Sequence, residues 1–340
     1  MTATHTSEWS IQPNEAFDMI LFLNAISNND FYSRHYQGVR EHYSIRLGDA
    51  GLKLIDQVVS VFSMSGLCKL LSFFSVKSLD DVIKSLQDFN QLINNIDIKE
   101  EYIKQLAANV SEKRELLLDC FVHIKESDID ENWRRNIKPS IQNVAGQLNG
   151  AMSSLIPYQN IRTTLSTFLG TDLPSKSYQV YLATYIKPIA FQLSKQGMVT
   201  HQGPPGYMPL PKQMACICIH ETIHGFPGSE IAQIEQEKFR LKSETFNQSY
   251  LDIINNWHSG PEEFFVVGAE AYLTQALNLR TNDECIQYLN TQNNGMPFSM
   301  EIYKKLSKEK PEQNSNWMGF GEWVSNALKN NEINICENIV

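Results

Sequence analysis

Apolar positions recur at helical spacing almost without interruption from Pro13 to about Gly170. Val82, Ile83, Leu86, Phe89 and Ile93 make one stripe, preceded by Ser78-Leu79-Asp80-Asp81, a sequence suited to a reciprocal helix cap. Ile103, Leu106, Val110, Leu117, Phe121 and Ile124 carry a second stripe across one polar break. Such stripes are the packed faces of a helical bundle. No chemical grouping accompanies them: His35, His42 and His123 have no partner at ligand spacing. The pattern changes at Gly170-Thr171-Asp172-Leu173-Pro174-Ser175, a polar break containing Gly and Pro. Tyr178 to Ile186, rich in β-branched and aromatic residues, predicts a strand that Pro188 should end or place beside an edge. Ala190 to Leu193 and Met198 to His201 predict two more short strands, and Gly203-Pro204-Pro205-Gly206 a turn. From Pro211 onward the chain reads as helices again. The expectation is a mostly α fold with a small β-sheet (α+β). A helical domain over 1–170, suited to partner or substrate recognition, precedes a second domain over 171–340.

Composition narrows the setting. The 340 residues are 42% hydrophobic and 20% charged, which fits an ordinary globular protein of about two domains. Net charge is −9, and basic residues cluster only in pairs such as Lys113-Arg114 and Arg134-Arg135, which argues against a nucleic-acid or anionic-membrane surface. Val58 to Leu71 is the most apolar stretch, yet Ser60, Ser63, Ser65 and Lys69 interrupt it below bilayer-spanning length, so no membrane span is expected. The N-terminus has neither a basic nor an apolar leader region. The expected location is the cytoplasm, or the exterior by an export route without a cleavable signal. Six scattered cysteines read as reduced core residues.

Residues 220–224 read His-Glu-Thr-Ile-His. On a helix, positions four apart share a face, so His220 and His224 can offer two imidazoles to one metal ion. Neutral imidazole suits zinc, and an open coordination position lets that ion acidify a water. Glu221 is placed to act as general base toward that water and then to protonate a leaving amine. With 8 His in 340 residues, chance puts this pattern in roughly 1% of such chains, so its surroundings matter. Leu210-Pro211 starts a helix, Met214 to Ile219 make it apolar nearly all round, and Gly225 can stop it. Two histidines and a glutamate at the end of a buried helix are costly without partners. A metal ion supplies one, and a structural histidine pair is the alternative. Cys216 and Cys218 point different ways on a helix and read as core. A di-iron bundle needs a second Glu-x-x-His, which the chain lacks, and no third histidine follows His224 at close spacing.

The third ligand must therefore come from farther along. In Ser259-Gly-Pro-Glu-Glu-Phe-Phe-Val-Val-Gly-Ala-Glu-Ala-Tyr272, Ser259 and Glu262 suit a capping box with Pro261 in the first turn, which gives Glu262 a structural job. Glu263 opens a mostly apolar helix through Leu279 and is the carboxylate best placed to point inward. Glu270, on the same face, is the candidate to support a ligand histidine from behind. His-Glu-x-x-His followed by a helix with Glu-Phe-Phe and then Ala-Glu-Ala resembles the gluzincin zinc metallopeptidases. The second helix is most similar to that of the anthrax lethal factor type of catalytic domain. The likeness spans 210–280 and departs from that type in three extra residues between Phe265 and the Ala-Glu-Ala run. It implies a zincin-like catalytic domain within 171–340 that binds one Zn2+ per chain through His220, His224 and Glu263, with Glu221 as the base.

The resulting expectation is a zinc metallopeptidase acting on protein or peptide substrates. Gluzincins often take an oxyanion-stabilising donor from a Tyr or His near the second helix, and His258 and Tyr272 are candidates. The strand around Val199-Thr200-His201 resembles the edge strand that pairs with extended substrate in such enzymes, beside an equal case for His201 as a surface residue. Two other classes stay open: a non-catalytic helical binding protein with a structural or vestigial metal site, and a metal hydrolase acting on a non-peptide substrate.

Overall fold

The computed structural model describes residues 9–98, 100–173, 177–187, 189–194, 197–201, 211–241, 244–257, 260, 262–292, 297–330 and 332–333. It is mostly helical with one small mixed sheet, as the sequence pattern implies. The chain forms two compact units, one of Trp9–Ala151 with Tyr178–Pro209 and one built on Met152–Ser177 with Leu210–Val340. This differs from a single cut at residue 170. The reason is a pairing between segments far apart in the chain, which places the sheet in the first unit.

Four strands form that sheet: β1 (Trp9–Pro13), β2 (Tyr178–Ala183), β3 (Phe191–Ser194) and β4 (Gly197–His201). Their order is β1-β2-β4-β3, with β1, β2 and β4 parallel and β3 antiparallel to β4. The strand holding Val199, Thr200 and His201 therefore lies inside the sheet, not at its edge as inferred from sequence. Its Gly197–Val199 portion is paired on both sides. β1 is an edge strand that Asn149 closes. Ile11 N–H donates to Asn149 Oδ1 (3.0 Å), and Asn149 Nδ2 donates to the Ile11 carbonyl (2.8 Å), much as a neighbouring strand would.

Helix α1 (Glu15–Ile26) starts at Asn14, whose side chain accepts from Phe17 N–H, and is buried at every position. Its polar residues are accordingly partnered. Glu15 accepts twice from Arg134 (2.9 Å each), and Asp18 accepts from Trp133 Nε1 (2.6 Å) and from Thr184 and Tyr185 N–H (2.7 and 3.0 Å). The apolar stretch Val58–Leu71 is divided between α2 (Val39–Val61) and α3 (Met64–Ser72), bent by 78°. Among the described residues no single helix is long and apolar enough to cross a membrane. Gly48 kinks α2 with φ 63°, and the Leu47 carbonyl accepts from His123 Nε2 (2.8 Å), so His123 has a structural task. The two sequence stripes fall on α4 (Leu79–Gln87) and the helix after it, then on α5 (Glu101–Glu112) and α6 (Arg114–Glu126). The cap at Ser78 and Asp81 forms in both directions (3.2 and 3.0 Å).

The second unit holds α7 (Tyr158–Leu169), α8 (Pro211–Ile223), α9 (Ser229–Arg240), α10 (Glu263–Ala276), α11 (Asn282–Gln292), α12 (Pro297–Glu309) and α13 (Phe320–Lys329). α8 begins at Pro211 and ends one residue before His224, and Gly225 (φ 59°) turns the chain away. α10 is buried from Glu263 through Thr274 and lies tightly on α12. A Cβ on Gly268 would sit 2.7 Å from the Ser299 carbonyl oxygen, so only glycine permits this approach. Phe264 packs with Phe246 and Phe298, and each fully buried phenylalanine contributes about 1.5–3 kcal/mol. This packing fixes α10 beside the end of α8 and sets the register of its glutamates. The described cysteines 68, 120, 216, 218 and 285 are buried free thiols.

Candidate metal centre

α8 and α10 bring His220, His224 and Glu263 together, with one ligand atom from each lying within 4.8 Å of the others. His220 Nε2 and His224 Nε2 are 3.2 Å apart, and the two oxygens of Glu263 lie 3.2 Å from the first and 3.5 Å from the second. The opposite edge of each ring is held by a different glutamate. His220 Nδ1 donates to Glu270 Oε2 (3.1 Å), and His224 Nδ1 donates to Glu262 Oε1 (3.0 Å). Behind these lie further donors. Gln233 Nε2 donates to Glu262 Oε2 (3.1 Å), Arg280 to Glu270 Oε1 (2.6 Å) and Tyr288 Oη to Glu270 Oε2 (2.6 Å). The Arg280 guanidinium stacks 4.1 Å over the Tyr288 ring. The imidazole side chains remain 17% and 20% exposed.

The electrostatics of this arrangement call for a cation. With each Nδ1–H committed to a carboxylate, a neutral imidazole presents its Nε2 lone pair inward. Two lone pairs and a carboxylate then meet within 3.5 Å, which repels unless positive charge sits among them. A proton on His220 can answer the same demand. Burial disfavours charge on His220, yet Glu263 and Glu270 outweigh it and hold the imidazole well above its usual value. Burial likewise opposes the charge on Glu270 and Glu262, and their histidine partners overcome it and keep both below the usual carboxylate range. The spacing also fits. A tetrahedral ion with bonds of ~2.0–2.2 Å separates its ligand atoms by about 3.3–3.6 Å, close to the 3.2, 3.2 and 3.5 Å found here.

Those residues expected from sequence that are described have definite places. Glu221 is buried on α8. Glu270 meets His220 as its position along the helix implied. The capping box expected between Ser259 and Glu262 falls on a residue outside those described, and what is described of Glu262 is a link to the metal cluster. Glu262 is the residue before α10, its backbone is already helical, and its carboxylate is taken by His224 and Gln233. Tyr272 donates to Glu312 (2.5 Å) and packs on Phe168, so it is engaged elsewhere. His258, Ser259, Pro261 and the turn at Gly203–Gly206 lie outside the described residues. His201 ends β4 in the first unit, where burial and Lys187 lower its pKa to about 4. Sequence reasoning missed Gln233, Arg280 and Tyr288. Arg280 had a signal: it is the first basic residue after Glu270, and a buried carboxylate needs a cation.

The unit thus holds a cluster of two histidines and one glutamate, drawn from two packed helices, that can hold a metal ion. Comparisons with protein-family models, curated proteins and solved structures find no match to this chain.

Proposed function

We propose that this protein is a zinc-dependent metallopeptidase. The observation supporting it best is the convergence of His220 Nε2, His224 Nε2 and the Glu263 carboxylate, with a separate glutamate behind each imidazole. Two neutral imidazoles and a carboxylate at tetrahedral spacing are a ligand set suited to zinc. The peptide substrate class rests on the resemblance of His-Glu-Thr-Ile-His and the α10 sequence to gluzincins. A bound Zn2+ supplies a Lewis acid that polarises a substrate carbonyl and acidifies a water. The remaining work belongs to the chain. Glu221 takes the proton of the attacking water and returns it to the leaving amine. Glu270 and Glu262 hold the imidazoles in one tautomer and one orientation.

The test combines metal analysis with a peptide-library digest. The purified protein should hold about one zinc per chain and cut peptides, while Glu221→Gln should keep the metal and lose cleavage. Stoichiometric zinc with no cleavage of any peptide would favour a structural site in a binding protein. Absence of stoichiometric metal would remove both readings.

A further inference from the structure

A separate cleft of about 440 Å³ opens near the C-terminal end of α12 and along α13, its walls including Trp317, Trp323, Met318, Glu309, Glu322 and Asn326. Both indoles are pinned by their N–H groups. Trp317 Nε1 donates to the Thr167 carbonyl and Trp323 Nε1 to Glu309 Oε2, each at 2.9 Å. Phe168 packs 6.0 Å from Trp317, and Phe320 stacks 5.9 Å from Trp323. With the N–H groups committed and the rings buttressed, the indoles offer the cleft carbon surface at little entropic cost.

The polar groups of the cleft divide into two sets. Glu309 is occupied by Lys305 and Trp323. Among the described residues, no protein hydrogen bond or ion pair engages the Glu322 carboxylate or the side-chain amides of Asn316 and Asn326, all of which line the cleft. Each alone is ordinary surface, and Glu322 also suits the first turn of α13. Together they surround two fixed indoles in a concavity within the ~300–1,000 Å³ range of small-ligand sites.

The ligand class follows by matching chemistry. An anion would meet the carboxylates of Glu309 and Glu322. A wholly apolar ligand would desolvate Glu322 and two amides without replacing their hydrogen bonds. A cation finds one unpaired carboxylate, which is solvent-exposed, and Lys305 already stands 5.9 Å over Trp323. A pyranose satisfies every feature. Its C–H face stacks on an indole, and neighbouring hydroxyls donate to Glu322 and both donate to and accept from the amides. We infer that this cleft is a saccharide subsite for one neutral pyranose unit of a glycan, a proposal independent of the metal centre.

The full chain would be titrated with cellotetraose, maltotetraose and chitotetraose, followed by tryptophan fluorescence and by calorimetry in parallel. At least one sugar should bind saturably, with a dissociation constant on the order of 1 mM. Glu322→Gln and Asn326→Ala, both exposed substitutions that leave the helix intact, should each weaken binding about 5–10-fold. Trp317→Ala, which removes the indole that Lys305 does not cover, should weaken it further, with an unchanged circular-dichroism spectrum as the folding control. No saturable binding of any sugar up to ~20 mM would overturn the inference. So would binding of tetramethylammonium in place of sugar, or sugar binding that both exposed variants leave unchanged.

Discussion

Replacing Glu263 with alanine tests the centre where its geometry is most specific, because three glutamates approach the two histidines and only one faces both Nε2 atoms. Removing it takes away a coordination bond and a negative charge together. Structural zinc sites bind with about 10–16 kcal/mol, and one of three protein ligands accounts for roughly 3–5 kcal/mol of it, on the order of 10³-fold in affinity. Glu270→Ala and Glu262→Ala remove only the groups behind the imidazoles, with losses of about 10–100-fold. Between these two, Glu270→Ala should cost more. It leaves the Arg280 guanidinium, only 15% exposed, unpaired close to His220, whereas Glu262→Ala frees the neutral amide of Gln233. The order of loss is therefore Glu263, then Glu270, then Glu262, read by competition with a chromophoric zinc chelator at fixed pH. If Glu263→Ala binds zinc as tightly as the unaltered chain while either neighbour loses it, the α10 register is not the one that builds the site.

Two further substitutions probe the surroundings. Tyr288→Phe removes one hydrogen bond to buried Glu270 and should lower zinc affinity about 5–10-fold, whereas Tyr272→Phe should leave it unchanged because its partner is Glu312; equal effects in the chelator assay would contradict this division. Asp18 concerns the other unit. Burial raises its pKa from 3.8 to about 6 despite hydrogen bonds from Trp133, Tyr185 and Thr184, so the folded state holds this proton more tightly than the unfolded chain. Its contribution is full below about pH 4 and declines as pH rises through about 6, a loss of roughly 3 kcal/mol at 1.36 kcal/mol per unit. Urea unfolding of the unaltered chain and Asp18→Asn at pH 4.5 and 7 isolates that slope. Identical pH dependence in the two proteins would refute it.

The helical stripes are legible because one-sided burial repeats at the helical period, and Val82, Leu86, Ile103, Val110, Leu117 and Phe121 are all buried. β1 is not legible. Five residues carry too short a period, and its register begins with Trp9 opposite Tyr178, a pairing that no local pattern encodes. β2 stops at Ala183, short of Ile186, for a reason equally remote in sequence. Asp18 accepts the N–H groups of Thr184 and Tyr185 and draws them out of the ladder. The inner position of β4 is likewise decided by packing, since strand order in a sheet has no signature within a single strand.

At the centre, spacing alone brought the histidines into view, and helix geometry accounts for where the residues of α10 point. Glu262 satisfies the Ser-x-x-Glu pattern, and its carboxylate also accepts from His224 and Gln233, a link that the pattern does not announce. Tyr272 follows Glu270 by two residues, about 200° around the helix, and faces away from the site. Glu270 follows Glu263 by seven residues, about 700° around the helix and ~10.5 Å along it, so both lie on nearly the same face two turns apart. Glu263 then meets the Nε2 edge of His220 and Glu270 its Nδ1 edge. Gly268, between them, admits the close approach of Ser299 and Ile302 on α12. The spacing of seven thus sets one carboxylate against each edge of His220, and Gly268 between them gives the helix its tight seat.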